Sequence, residues 1–180
     1  MVPSRSHLLV SICLLVLAGI GESVLAQQGK PSTEATLKAV AEIHGMAGPF
    51  AVAGYRMGAR ALLELNLQRG DFALSVVHES LAQVQWSCVV DGVQAATGAG
   101  LGKLNLRFET VPINQMVTII KNRKSGEELR FKLKPEFVRA FLNLPEDQLA
   151  SAGAKVADLS DDDIFIEEHF GKEHAKPQGN

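Results

Sequence analysis

The sequence predicts an α+β fold in which helices flank a mixed β-sheet. Two segments after Pro31 carry apolar residues at helical spacing, while several later segments alternate apolar and polar residues as strands do. The elements follow the order α-α-β-α-β-β-β-α, without an internal repeat or the strict alternation of a parallel α/β fold.

The first predicted helix follows Thr33, which offers an N-cap, and places Leu37, Val40 and Ile43 on one face. His44 and Gly45 end it, because glycine readily adopts the left-handed conformation that closes a helix. His44 is therefore expected at a helix C-terminus.

The second predicted helix runs from Pro49 to about Gln68 and contains Gly54 and Gly58, four residues apart. Each glycine costs a helix about 1 kcal/mol relative to alanine. We therefore expect another backbone to approach this face closely, either the helix that carries Cys88 or that of a second copy of the chain.

The remaining elements are a buried strand that delivers His78 and Glu79 at its end, a helix anchored by Trp86, a strand with one buried face, a hairpin with a basic outer face, and two helices that begin at prolines. In order they are Phe72–Val77, the segment around Cys88, 104–108, 116–134, and the helices at Pro135 and Pro145.

The N-terminus has the features of a secretory signal peptide in residues 1–26. Arg5 precedes an apolar run from Leu8 to Ile20, which is too short for a confident membrane span, and Ala26 suits signal peptidase. We expect an exported protein, periplasmic or extracellular, that begins near Gln27 and keeps no stable membrane span after cleavage.

The predicted organisation is one α+β domain over residues 27–160, followed by an acidic, partly flexible tail over 161–180. Acidic residues accompany His169 and His174 in the tail, but the two histidines are five residues apart and would not share a helical face. The net charge of −2 and pI near 6.2 provide no basic surface, so we expect neither nucleic acid nor anionic lipid as a partner.

The segment from Cys88 to Asn105 has the strongest chemical character. Cys88 and Asp91 would share one face of a helix, which Gly98 and the following glycines end. With Cys13 inside the signal peptide, Cys88 has no disulfide partner in the mature chain. It is either a buried small hydrophobe or a ligand or nucleophile. The glycines beside Lys103 lack the spacing of a Walker loop, which excludes that nucleotide-binding motif.

Two segments resemble the FmdE family, which takes its name from the formylmethanofuran dehydrogenase operon. They are IHGMAGPFAVAGYRMG, which starts at Ile43, and CVVDGVQAATGAGLGKLNL, which starts at Cys88. Family members typically read F-H-G-H-x-C-P-G in the first motif and C-x-x-D-A-I-Q-x-x-T-G-C-T-x-G-x-x-N-L in the second. The resemblance covers roughly residues 44–133.

The resemblance implies an α+β domain with a mixed sheet, a homodimer, and a site that holds zinc or another transition metal. The family's potential ligands fall on His44, Cys88 and Asp91, while Met46 replaces its second histidine and Ala99 its later cysteine. The expected supporting residues of the second motif are Gln94, Thr97, Gly98, Lys103 and Asn105.

Three functions stay open. The first is a metal- or ligand-binding module accessory to an envelope redox or metal-handling system. The second is an enzyme that uses Cys88 and His44 as a thiol nucleophile pair or as zinc ligands. The third is a dimeric interaction protein whose site is a relic.

Overall fold

The computed structural model describes residues 31–171 of the 180-residue chain, so the predicted signal peptide and residues 172–180 lie outside the described part. Six helices and five strands form this part, with short 3₁₀ turns at Leu101–Lys103 and Ile113–Gln115. In chain order they are α1 (Thr33–His44), α2 (Pro49–Glu64), β1 (Leu74–Ser80), α3 (Val84–Thr97), β2 (Leu106–Thr110), β3 (Val117–Asn122), β4 (Glu128–Leu133), α4 (Pro135–Phe141), α5 (Glu146–Asp158), α6 (Asp161–Ile164) and β5 (Phe165–Phe170).

The strands form one sheet in the order β2-β1-β3-β4-β5. Strands β1 and β2 are parallel and are joined by α3, whereas the other three pairs are antiparallel. The predicted α+β class with a mixed sheet is therefore confirmed, as is the β3–β4 hairpin.

Helices α1 and α2 begin and end close to their predicted positions. Ser32, rather than Thr33, is the N-cap of α1, because its side chain accepts a hydrogen bond from the Ala35 amide. Gly45 has φ of 84° and ends α1 directly after His44. Helix α2 ends at Glu64, before the predicted Gln68, since Asn66 takes a left-handed conformation.

Helices α2 and α3 pack backbone against backbone through their glycines. A Cβ atom added to Gly54 would lie 1.9 Å from the Val89 carbonyl oxygen, and one added to Gly92 would lie 1.8 Å from that of Ala51. Of the two explanations for Gly54 and Gly58, the structure selects the internal one: the Cys88 helix occupies this face.

Strand β1 begins and ends later than predicted, which changes the environment of His78. The strand continues to Ser80, so His78 and Glu79 lie within it rather than beyond its end. Alternation along the strand directs His78 to the covered face of the sheet, where it is 5% exposed. Trp86 is buried beneath it in α3 and contacts Phe50 edge to face, as an anchor should.

Strand β2 does not have the predicted buried face. It is an edge strand in which only Leu106 is buried, and Leu104 lies outside it with 87% exposure. The alternation of apolar residues was misleading here because the 3₁₀ turn at Leu101–Lys103 turns Leu104 away from the core in a left-handed conformation.

Residues 161–170 differ from the predicted acidic tail, because they form α6 and the edge strand β5. Ile164 and Phe165 are buried, and Phe165 contacts Phe131 edge to face. The acidic residues of β5 also compensate the basic face of β4: Glu168 lies 3.4 Å from the Lys132 ammonium. The apparent tail thus completes the sheet.

Within residues 31–171, none of the helices combines the length and the hydropathy needed to cross a bilayer.

Candidate functional site

The C-terminus of α1 brings His44 to the exposed side of α3. The His44 Nδ1 and Asp91 Oδ2 atoms are 2.8 Å apart, and the two side chains are 22% and 39% exposed. Gly45 makes this possible, since it ends the helix and releases the chain directly after the histidine. The pair uses Nδ1 and leaves Nε2 as the ring nitrogen that Asp91 does not bind.

Cys88 lies one turn before Asp91 on the same side of α3. Its thiol donates a hydrogen bond to the Val84 carbonyl oxygen at 2.7 Å, and the side chain is half-buried. Burial, and then the nearby Asp91 carboxylate, raise the pKa of Cys88 above its ordinary value. The thiol is therefore protonated at neutral pH.

The three predicted ligands are neighbours but do not form a closed set of donors. Among residues 31–171, the acidic, histidine and cysteine side chains with three donor atoms within 4.8 Å of one another are Glu64, Glu167 and His169. His44 and Asp91 instead bind each other, with the Cys88 thiol turned to its own helix.

Met46 lies in the loop between α1 and α2, two residues after His44, and is 36% exposed. The loop is tight at this point, because the Gly48 amide donates to the Met46 carbonyl oxygen at 3.0 Å. Met46 thus sits in the loop that follows His44, with its side chain open to solvent.

The supporting residues of the second motif build the turn that follows α3. Thr97 donates to the Val93 carbonyl at 2.7 Å and accepts from the Ala99 amide, and Gly98 has φ of 68°. Asn105 accepts from the Gly100 amide at 3.0 Å, and the Lys103 ammonium donates to the Gly98 carbonyl. These contacts explain the motif as a structural feature of the α3–β2 connection.

Gln94 belongs to the same face of the turn and is partly buried. A Cβ atom added to Gly100 would lie 3.8 Å from the Gln94 side-chain nitrogen. Gln94 therefore packs over the glycine loop, one turn after Asp91.

A second group of metal-type donors was not predicted, because two of its members lie in β5. Glu64 ends α2 and meets Glu167 and His169 of the edge strand. Arg60 lies between the carboxylates, 3.1 Å from Glu64 and 3.0 Å from Glu167, and Glu167 also contacts His169. The guanidinium balances these acids, so the group fastens β5 to α2 as an ion-pair network.

Residues 43–166 match the family described as FmdE, Molybdenum formylmethanofuran dehydrogenase operon. The chain belongs to the FmdE family. The match includes both motifs and continues through α6 into β5, well beyond residue 133, where the resemblance of the motifs ends.

Two further similarities accompany the family match. A protein of Archaeoglobus fulgidus, described as a probable S-adenosyl-L-methionine-binding protein, is 32% identical over 120 residues. That alignment covers 65% of this chain but 32% of the relative, so the chain spans about a third of that protein's length.

The crystal structure of an FmdE-like protein of tungsten formylmethanofuran dehydrogenase, from Syntrophus aciditrophicus, has the same fold. It superposes with a TM-score of 0.50 at 20% identity, over 83% of this chain and 80% of that one. The predicted family and its fold are thereby confirmed.

Proposed function

We propose that this FmdE-family domain binds a transition-metal ion such as zinc through His44 Nε2 and Cys88 Sγ. The observation that carries the proposal is the 2.8 Å contact between His44 Nδ1 and Asp91. Metal-binding histidines commonly donate their second ring N–H to a carboxylate, which fixes the ring and its tautomer. Asp91 would then orient His44 rather than bind the metal itself.

The donor set fits a borderline-soft ion. An imidazole nitrogen and a thiolate are both ligands that zinc accepts in tetrahedral sites. Two protein ligands leave positions for Met46, for a second copy of the chain in the proposed homodimer, or for a small molecule. Such an open site suits a binding module accessory to an envelope redox or metal-handling system, in a protein that we propose is exported.

The state of Cys88 favours this function over that of a thiol enzyme. A nucleophilic cysteine needs a depressed pKa, whereas burial and Asp91 raise the pKa of Cys88. A metal ion would have to displace the thiol proton, so its affinity should rise with pH. The same residue can thus serve as a ligand while being a poor nucleophile.

The test is zinc titration of the protein, stripped with chelator, by isothermal calorimetry. We expect one zinc per chain, with binding lost in Cys88→Ser and His44→Gln. Asp91→Asn should retain the ligands but weaken affinity about ten- to a hundredfold, as removal of a carboxylate partner does elsewhere.

His169→Gln is the matched control, because it removes the histidine of the Glu64–Glu167–His169 group. If His169→Gln abolishes zinc binding and His44→Gln does not, the proposed site is wrong. If neither zinc nor another divalent metal binds the wild-type protein, the relic hypothesis replaces it.

A further inference from the structure

A cavity of about 340 Å³ lies between the sheet and the helices, on the opposite side of α3 from His44. Trp86 and Val89 of α3 form one wall, whereas Cys88 and Asp91 face α1. Ile113 and Asn114, both exposed, stand at its mouth. The cavity is thus distinct from the proposed metal site and open to solvent.

The cavity exists because two strands separate. The β3–β4 ladder ends at the pair Thr118 and Phe131. Its continuation would pair Val117 with Lys132 and Met116 with Leu133, but these four residues line the cavity instead. Helix α4 starts at Pro135 and covers the gap.

The side chains that surround the cavity are mainly apolar, and Lys132 is the one charged residue among the described residues that line it. Alternation along β4 buries its neighbour Phe131 and turns the Lys132 side chain to the outer face, where its ammonium meets Glu168 at 3.4 Å. Lys132 therefore borders the cavity with its backbone. A charged ligand would find no side chain of opposite charge among these lining residues.

His78 also contributes no charge or free hydrogen-bonding atom. Its Nε2 donates to the Trp86 carbonyl at 3.2 Å, so Nδ1 is the acceptor for the Thr118 hydroxyl at 2.9 Å. Both ring nitrogens are used, and burial lowers the pKa of His78 to about 4. The imidazole is neutral and fixed.

Ser80 is the exception among these polar groups. Its side chain is 1% exposed, and its hydroxyl donates only to the Met116 sulfur, at 3.8 Å. A thioether is a weak acceptor. A buried hydroxyl with so weak a partner retains hydrogen-bonding capacity, and it does so in the wall of a cavity large enough for a small molecule.

We propose that this cavity binds an uncharged, mainly apolar small molecule whose hydroxyl or carbonyl group pairs with Ser80. The volume equals the liquid share of about eleven water molecules, which suits a ligand of that scale. Apolar contact would come from Met57, Val89 and Phe131. The inference is independent of metal binding at His44.

Methionine methyl NMR tests it, because the methionines report on both sites. Met57 and Met116 line the cavity, whereas Met46 lies beside His44. With ¹³C-methyl methionine and assignments from methionine-to-leucine variants, 1-hexanol should shift Met57 and Met116 saturably and leave Met46 unchanged. Hexanoate and hexylammonium should bind at least tenfold more weakly.

Ser80→Ala should weaken hexanol binding roughly two- to tenfold, the effect of one net hydrogen bond. It should leave benzene binding unchanged, which also shows that the cavity is intact. Ser75→Ala is the matched control, since Ser75 lies on β1 with its side chain on the other face. Shifts that do not saturate, equal binding of hexanoate, or an undiminished affinity in Ser80→Ala would overturn the proposal.

Discussion

Cys88 and His78 show how position decides the chemistry of a side chain. Both were notable in the sequence, one as a lone thiol and the other as a histidine near a strand end. The structure gives Cys88 a raised pKa beside Asp91 and gives His78 a lowered pKa within the core. Each is held in its neutral form by burial.

The state of Cys88 leads to a prediction about its reactivity. In metal-free protein at pH 7, iodoacetamide should alkylate Cys88 more slowly than it alkylates an unstructured cysteine peptide, because little thiolate is present. Asp91→Asn should accelerate the reaction, since it removes a negative charge that opposes thiolate formation. Asp147→Asn, on the exposed side of α5, should not.

Mass spectrometry of timed samples gives these rates. Rapid alkylation of the wild-type protein at pH 7 would contradict the pKa direction and would restore the nucleophile hypothesis.

His78 predicts a loss of stability in mild acid. Its pKa is about 4 in the folded protein and about 6.5 when unfolded. Between these values the unfolded chain binds the extra proton, so the free energy of unfolding rises with pH. Lowering the pH from 7 to 5 should cost about 2 kcal/mol through this residue alone.

Urea unfolding at both pH values measures this effect. His78→Gln should be less stable at pH 7 but should lose most of the additional destabilisation at pH 5. His169→Gln, which changes an exposed histidine, should retain the wild-type difference. An unchanged pH dependence in His78→Gln would assign it to other groups.

At the level of elements, the α2–α3 contact depends on the absence of side chains at Gly54 and Gly92. The facing atoms are backbone carbonyl oxygens, which cannot turn aside as a side chain can. The close fit places α3, and with it Cys88 and Asp91, at a fixed height against α1. The position of the candidate site therefore depends on these glycines.

Gly92→Ala should lower the free energy of unfolding by about 3 kcal/mol or more, because overpacking against backbone forces the helices apart. Chemical denaturation measures the loss. Gly102→Ala, where a Cβ atom would contact nothing within 4 Å, should change stability by less than about 0.5 kcal/mol. Comparable losses in both variants would refute the packing explanation.

At the scale of the whole molecule, Arg56 connects the N-terminal helices to the C-terminal segment. Its side chain is 5% exposed and donates to the carbonyl oxygens of Ala157 and Leu159, at 3.1 and 2.9 Å, and to the Asp161 carboxylate. These bonds span more than 100 residues. They hold α5 and α6 against α2.

Arg56→Met should reduce the free energy of unfolding by about 3 kcal/mol, since buried carbonyl groups lose a charged donor. Arg139→Met removes an ion pair whose members are both about two-thirds exposed, and should change stability by about 0.5 kcal/mol or less. Thermal melts of the two variants give the comparison. Equal effects would show that burial of Arg56 contributes nothing.

The sequence was sufficient where local patterns coincide with burial, and insufficient where distant segments meet. The caps at His44–Gly45, the β3–β4 hairpin and the α3 motif are local, and they were predicted close to their observed positions. Strand β5 was missed because its acidic residues resemble a solvated tail until β4 supplies basic partners. The His44–Asp91 contact joins residues 47 apart, which only the family resemblance brought together.

The position of β5 at the sheet edge also constrains the order of events during synthesis. Strand β4 keeps an open edge, and Arg56 lacks its acceptors, until residues 157–170 have been made. Because ribosomes release the N-terminal part first, the nascent chain should remain incompletely folded until almost all of it has emerged. A late-closing fold of this kind is compatible with a translocation machinery that threads unfolded polypeptide.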